Sequence, residues 1–132
     1  MTIELWALVW SGLLLLVLIL ASAVGNVNAM GQEWGIGNRE VPAKGEGWAG
    51  RARRAYLNLM ENLVVFGAAV IPAHIAGTHT GLTVLGAQIF LIARIIHAVV
   101  YLGGWTFLAI RTLAYFAGVI GTVLIYYALI TG

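Results

Sequence analysis

From Leu5 to Val24 the chain reads LWALVWSGLLLLVLILASAV, with no charged residue. As a helix rising 1.5 Å per residue, such a run crosses the roughly 30 Å hydrocarbon core of a bilayer with its backbone hydrogen bonds satisfied internally. The remaining sequence agrees: 61% of residues are hydrophobic and only 9% charged, against about 25% charged in soluble domains. An integral membrane protein is expected. A cleaved signal peptide is the alternative for the first segment, because Ala21-Ser22-Ala23 resembles a cleavage site. Against it, Glu4 stands where a basic start belongs, and the apolar run exceeds the usual length of about 7–15 residues.

With 132 residues the chain is read as a single transmembrane domain. Hydropathy and breakers place helices at about 4–25, 50–76, 82–102 and 105–130. A Gly- and Asn-rich loop over 25–50 is the long connection, with Trp34 and Trp48 near the headgroups. Pro72 is expected to kink the far end of the second span. Thr78-His79-Thr80-Gly81 makes the short turn after it, and Gly103-Gly104 ends the third. The fold class expected is an all-α, up-down-up-down four-helix membrane bundle. Of the seven basic residues, Arg39, Lys44, Arg51, Arg53 and Arg54 lie in or just after the long loop, which places that loop in the cytoplasm. Seven basic against five acidic residues are too few for a nucleic-acid surface. With no cysteine, thiolate chemistry cannot come from the protein itself.

Ionisable residues inside membrane helices are expensive, at least about 2.5–3.5 kcal/mol each near the centre, so their pattern is informative. In the second span Arg51, Arg54, Asn58 and Glu61 follow at steps of three, four and three, which predicts one polar stripe. In the third, Arg94, His97 and Tyr101 do the same; in the fourth, Arg111, with Thr112 beside it, and Tyr115 lie one turn apart. Counted from the cytoplasmic side, Glu61, Arg94 and Arg111 come about 15, 12 and 9 Å deep at 1.5 Å per residue. A polar pocket between helices, open to the cytoplasm and lined by a surplus of cations, is the expectation. The alternative is a satisfied core in which Glu61 pairs with Arg94 and the other cations snorkel, which leaves Arg54, Arg111 and His97 without acidic partners. The ligand of such a pocket is anionic and able to use several arginines and one carboxylate. Glutathione fits, as do other small anions, and it would bring the thiol the chain lacks. Its partner substrate would be an apolar molecule from the lipid.

The segments RARRAYLNLMEN (51–62), RIIHAVVYLGG (94–104), IRTLAY (110–115) and NRE (38–40) resemble the MAPEG superfamily, the membrane-associated proteins in eicosanoid and glutathione metabolism. The likeness covers about residues 38–116 and touches both the prostaglandin synthase and the glutathione transferase branches. It implies a homotrimer that binds glutathione in a cytoplasm-facing pocket between neighbouring subunits, in the inner membrane if the source is bacterial. By that resemblance Arg54, Asn58, Glu61, Arg94, His97, Tyr101 and Tyr115 would hold glutathione, with Arg51 on the same stripe. Arg111 is similar to the arginine that activates the thiol, with Thr112 in place of a neighbouring serine, and Glu40 corresponds to an acidic loop residue. The chain departs from the eicosanoid enzymes in carrying only Asn26 and Asn28 late in the first span and Leu57 in place of an arginine. The resemblance thus implies a generic glutathione transferase or peroxidase more than a dedicated eicosanoid synthase.

Two other functions fit four short spans. A small multidrug-type transporter relies on an acid embedded in its first helix, where this chain has only Glu4 at the edge. A non-catalytic scaffold could retain a glutathione or lipid pocket. His74 and His79, five apart, suit no metal site and are read as interfacial.

Overall fold

The structure, a computed structural model, describes residues 1–106 and 109–132. Its helices are α1 (Ile3–Met30), α2 (Gln32–Ile36), α3 (Gly47–Ile75), α4 (Gly81–Gly103) and α5 (Ile110–Thr131). α1, α3, α4 and α5 are each long and apolar enough to span a membrane, and the chain is an all-α, multi-pass membrane protein. α3 and α4 hold the middle of the bundle, each touching the other three spans. Among the described residues α1 and α5 do not meet.

Small residues decide where these helices touch, because lipid leaves no hydrophobic force between them and close packing must supply the attraction. α1 buries Ala7, Ser11, Ser22 and Gly25 and turns Trp10, Leu13, Leu16, Val17 and Leu20 outward. α4 and α5 approach most closely at two glycines. A Cβ built at Gly121 would lie 2.5 Å from the Gly86 carbonyl oxygen and 2.8 Å from the Phe90 amide nitrogen. Between α3 and α4, Phe66 and Phe90 stack with centroids 3.9 Å apart, inside a cluster that includes Ala7, Val70, Ala87 and Ile125. A second cluster, Leu18, Ala55, Leu59 and Ala98, lies further towards the start of α3. Along α4, Arg94 falls between Phe90 of the first cluster and Ala98 of the second.

The element boundaries differ from expectation in three places. α1 runs through Asn26 and Asn28 to Met30, because Gly25 lets Trp48 and Ala49 of α3 pack against it, and the chain turns only at Gly31, with φ +96°. The long connection holds the short helix α2, where the Trp34 indole donates to the Val41 carbonyl at 2.6 Å and Arg39 lies over the Trp34 ring at 5.0 Å. The last span starts at Ile110 rather than 105: Gly104 closes α4 in a left-handed turn, and Trp105 and Thr106 are not helical. Phe107 and Leu108, inside that expected span, lie outside the described residues. Pro72 sits in the last turn of α3, which continues to Ile75.

At the end of the bundle where α1 begins, a polar tie joins three segments. Thr80 and Thr83 form a reciprocal cap on α4, with Thr80 N to Thr83 Oγ1 at 2.9 Å and Thr83 N to Thr80 Oγ1 at 3.3 Å. The Thr83 hydroxyl donates to the Glu4 carboxylate, which also meets His79 Nδ1 at 2.9 Å. Glu4 is 4% exposed, so His79, read from sequence as merely interfacial, is one of the groups that satisfy a buried carboxylate. Glu4→Ala removes the acceptor shared by Thr83 and His79. It should lower unfolding stability in detergent micelles by about 1–3 kcal/mol, the range for leaving buried polar groups unmatched. An unfolding curve identical to that of the parent would show that the tie carries no stability.

Candidate functional site

At the opposite end, where α3 and α5 begin and α4 ends, the polar residues of three helices converge. Helical spacing explains the α4 contribution: Arg94, His97 and Tyr101 recur at intervals of three and four and so share one face, turned towards α3 and α5. α5 supplies Arg111 and Thr112 from its first turn and Tyr115 from the next. α3 supplies Asn58. Asn58, His97, Tyr101, Arg111, Thr112 and Tyr115 line a cavity of about 250 Å³. The Arg111 guanidinium lies over the Tyr101 ring, 4.7 Å from its centroid, a contact that holds the cation beside the opening. His97 and Tyr101 pack with ring centroids 5.5 Å apart.

Arg94 sits behind this lining, 1% exposed. Its Nη2 donates to Asn58 Oδ1 at 2.5 Å and faces His97 Nδ1 at 3.5 Å. Because guanidinium offers only donors, this orientation suits the imidazole tautomer whose proton is on Nε2. Arg94 Nε and Nη1 are buried with no hydrogen-bond partner among the described residues.

Three sequence-selected residues of α3 lie elsewhere. Glu61 is exposed and does not pair with Arg94, so the satisfied-core alternative does not describe this arrangement. Arg51 donates from Nε to the Leu102 carbonyl at 3.0 Å, and Arg54 from Nη1 to the Gly45 carbonyl at 3.1 Å. For Arg54 and Glu61 the reason is angular, whereas Arg51 lies about two turns along the axis from Asn58. At about 100° per residue, Asn58 is only about 20° round the helix from Arg51, whereas Arg54 and Glu61 are about 60° and 80° round. Those two fall on the exposed side of α3. Asn26 and Asn28 of α1 do not line the cavity either.

Among the described residues the ion pair within 4 Å is Glu4 with His79, at the far end. Arg111 on the cavity wall and Arg94 behind it therefore have no carboxylate among the described residues to balance them. The arrangement is suited to receiving an anion and to stabilising negative charge that develops near Arg111. Two features escaped the sequence reading. One is the direct Arg94–Asn58 bond, which no spacing rule announces. The other is Gly118, buried against the Arg94 side chain, whose only sequence signal is the weak small-residue pattern Ala114-x-x-x-Gly118.

Neither a curated protein nor a solved structure gives a significant match to the chain. The sequence model of the MAPEG family matches residues 7–131, nearly the whole chain, and so takes in all four spans and every residue of the cavity. By that match the chain belongs to the MAPEG family, a membrane protein of the group concerned with glutathione and eicosanoid metabolism.

Proposed function

We propose that the protein is a glutathione-dependent transferase or peroxidase that turns the thiol of bound glutathione into a thiolate and delivers it to an apolar electrophile from the bilayer. The observation that carries this reading is a cavity with Arg111 on its wall and Arg94 buried just behind it, and no carboxylate among the described residues paired with either. Glutathione offers two carboxylates to such a site. Asn58, His97, Tyr101 and Tyr115 bond its amides and carboxylates, and Arg111 sits beside the sulfur. Opposite charge next to sulfur favours the thiolate, each unit of lowered thiol pKa corresponding to about 1.36 kcal/mol. The hydroxyl of Thr112 or Tyr115 donates a hydrogen bond to the sulfur or to the leaving group.

An apolar groove of about 410 Å³ lies between Ile92, Ala93 and Ile96 of α4 and Ile110, Leu113, Ala114 and Ala117 of α5, sharing no lining residue with the polar cavity. These residues alternate along the same helices with those of the polar cavity. In conjugation the sulfur bonds to carbon as a leaving group departs or a ring or double bond opens. In the peroxidase reaction it attacks the distal oxygen of a lipid hydroperoxide, breaking the O–O bond to release the protonated alcohol and leave glutathione sulfenic acid, which a second glutathione converts to disulfide and water.

The assembly proposed is a homotrimer with the cavity open to the cytoplasm. The cluster of Arg39, Lys44, Arg51, Arg53 and Arg54 at this end supports the orientation. Glu61 supports the assembly. It is an exposed carboxylate halfway along the 29-residue α3, and a neighbouring subunit would shield it from lipid. From that position Glu61 meets the ammonium of glutathione bound at the subunit boundary, with Arg51 and Arg54 above it.

Two measurements test the reading. Arg111→Ala should reduce kcat by about 10²-fold, the size of losing one preorganised electrostatic partner, with glutathione affinity changed only a few-fold because the lost contact acts on the thiolate. Unchanged kcat would remove Arg111 from the mechanism. The ultraviolet absorbance of thiolate should appear when glutathione binds the parent protein at neutral pH and be absent in Arg111→Ala. A parent complex without that absorbance would contradict activation of the thiol.

A further inference from the structure

We infer that Gly118 is a positioning residue for the glutathione site: its missing side chain forms the slot that holds Arg94 against Asn58. This inference rests on the function proposed above. Arg94 does not line the cavity, so in this arrangement it acts through the two lining residues it meets, Asn58 at 2.5 Å and His97 at 3.5 Å. On the way there its aliphatic stem passes against Gly118 of α5. A Cβ built at Gly118 would lie 3.3 Å from Arg94 Cδ, 3.8 Å from Ala93 Cβ and 3.9 Å from Phe90 Cδ2.

The first distance is tighter than ordinary carbon contact, and Arg94 has little room to yield. It is 1% exposed, its Nη2 is bonded to Asn58, and Phe90 and Ala93 flank it on its own helix. A methyl at 118 therefore displaces the Arg94 stem, and the displacement passes along a planar guanidinium to the Asn58 amide on the cavity wall. Gly121, three residues on, provides the contrast. Its neighbours are the backbone of Gly86 and Phe90, with Ile89 beyond, so it sets helix approach and not the placement of Arg94.

The test is a double-mutant cycle between position 118 and position 94, read by glutathione titration calorimetry, by steady-state kinetics and by thermal unfolding of the purified protein in detergent. Gly118→Ala should weaken glutathione binding and raise its KM by about tenfold, equivalent to about 1.4 kcal/mol, with kcat nearly unchanged because Arg111 stays in place. In an Arg94→Ala background the same substitution should have no further effect on affinity. Alanine is the better helix former, so with the stem of Arg94 gone the change in Tm on Gly118→Ala should be more favourable than in the parent. Gly121→Ala should lower Tm equally in both backgrounds. Equal effects of Gly118→Ala with and without Arg94, on affinity or on Tm, would overturn the inference. If Gly118→Ala alone does not fold, recovery of folding in the double variant supports the slot and continued failure overturns it. Absence of glutathione binding by the parent would instead defeat the proposed function, and the Tm cycle would still decide the role of Gly118.

Discussion

A guanidinium enclosed between two apolar clusters of a membrane bundle is the constraint around which the rest is arranged. Arg94 is fully buried, its bonded partner is the neutral amide of Asn58, and two of its nitrogens have no partner among the described residues. Enclosing such a charge in a helix bundle is tolerated only with compensation near by. The bundle provides part of it. α3 and α4 take the central positions, so Asn58 and Arg94 face each other, and α5 presents a glycine where the arginine stem must pass. The part it leaves unprovided, an anion, gives the neighbouring cavity its chemical character.

The two ends of the bundle show how differently charge can be handled. At the far end Glu4 is closed in by Thr83 and His79, and a buried carboxylate becomes a structural tie between α1 and the start of α4. At the near end Arg111 faces an open cavity, steadied by an aromatic ring and not by an acid. Glu4 is also the only carboxylate of α1, and its engagement with two partners leaves little for the ion coupling that a small transporter would ask of it.

Much of the fold was legible because membrane spans announce themselves by length and hydropathy. The α4 and α5 parts of the site were legible because helical periodicity puts Arg94, His97 and Tyr101 on one face and Arg111 one turn from Tyr115. The α3 part was only half legible. Steps of three, four and three look like one stripe, yet they spread over about 80° of a helix turning about 100° per residue. Asn58 faces inward, while Arg54 and Glu61 are carried outward. Arg51 and Arg54 are captured by backbone carbonyls, acceptors every residue carries and no sequence pattern marks. The tie of Glu4 to His79 and Thr83 was hidden by separations of 75 and 79 residues. The end of α1 was misread because Gly and Asn suggest a loop, whereas Gly25 serves close packing against Trp48 and Ala49.

The claim beneath the functional reading is that the uncompensated positive charge of Arg94 behind this cavity and of Arg111 on its wall makes it a site for the anion glutathione. Calorimetric titration of the purified protein with glutathione and, separately, with its uncharged diester tests that claim most directly. Binding of glutathione together with loss of binding by the diester is the predicted result; equal affinity for the two, or no heat from either, would contradict it.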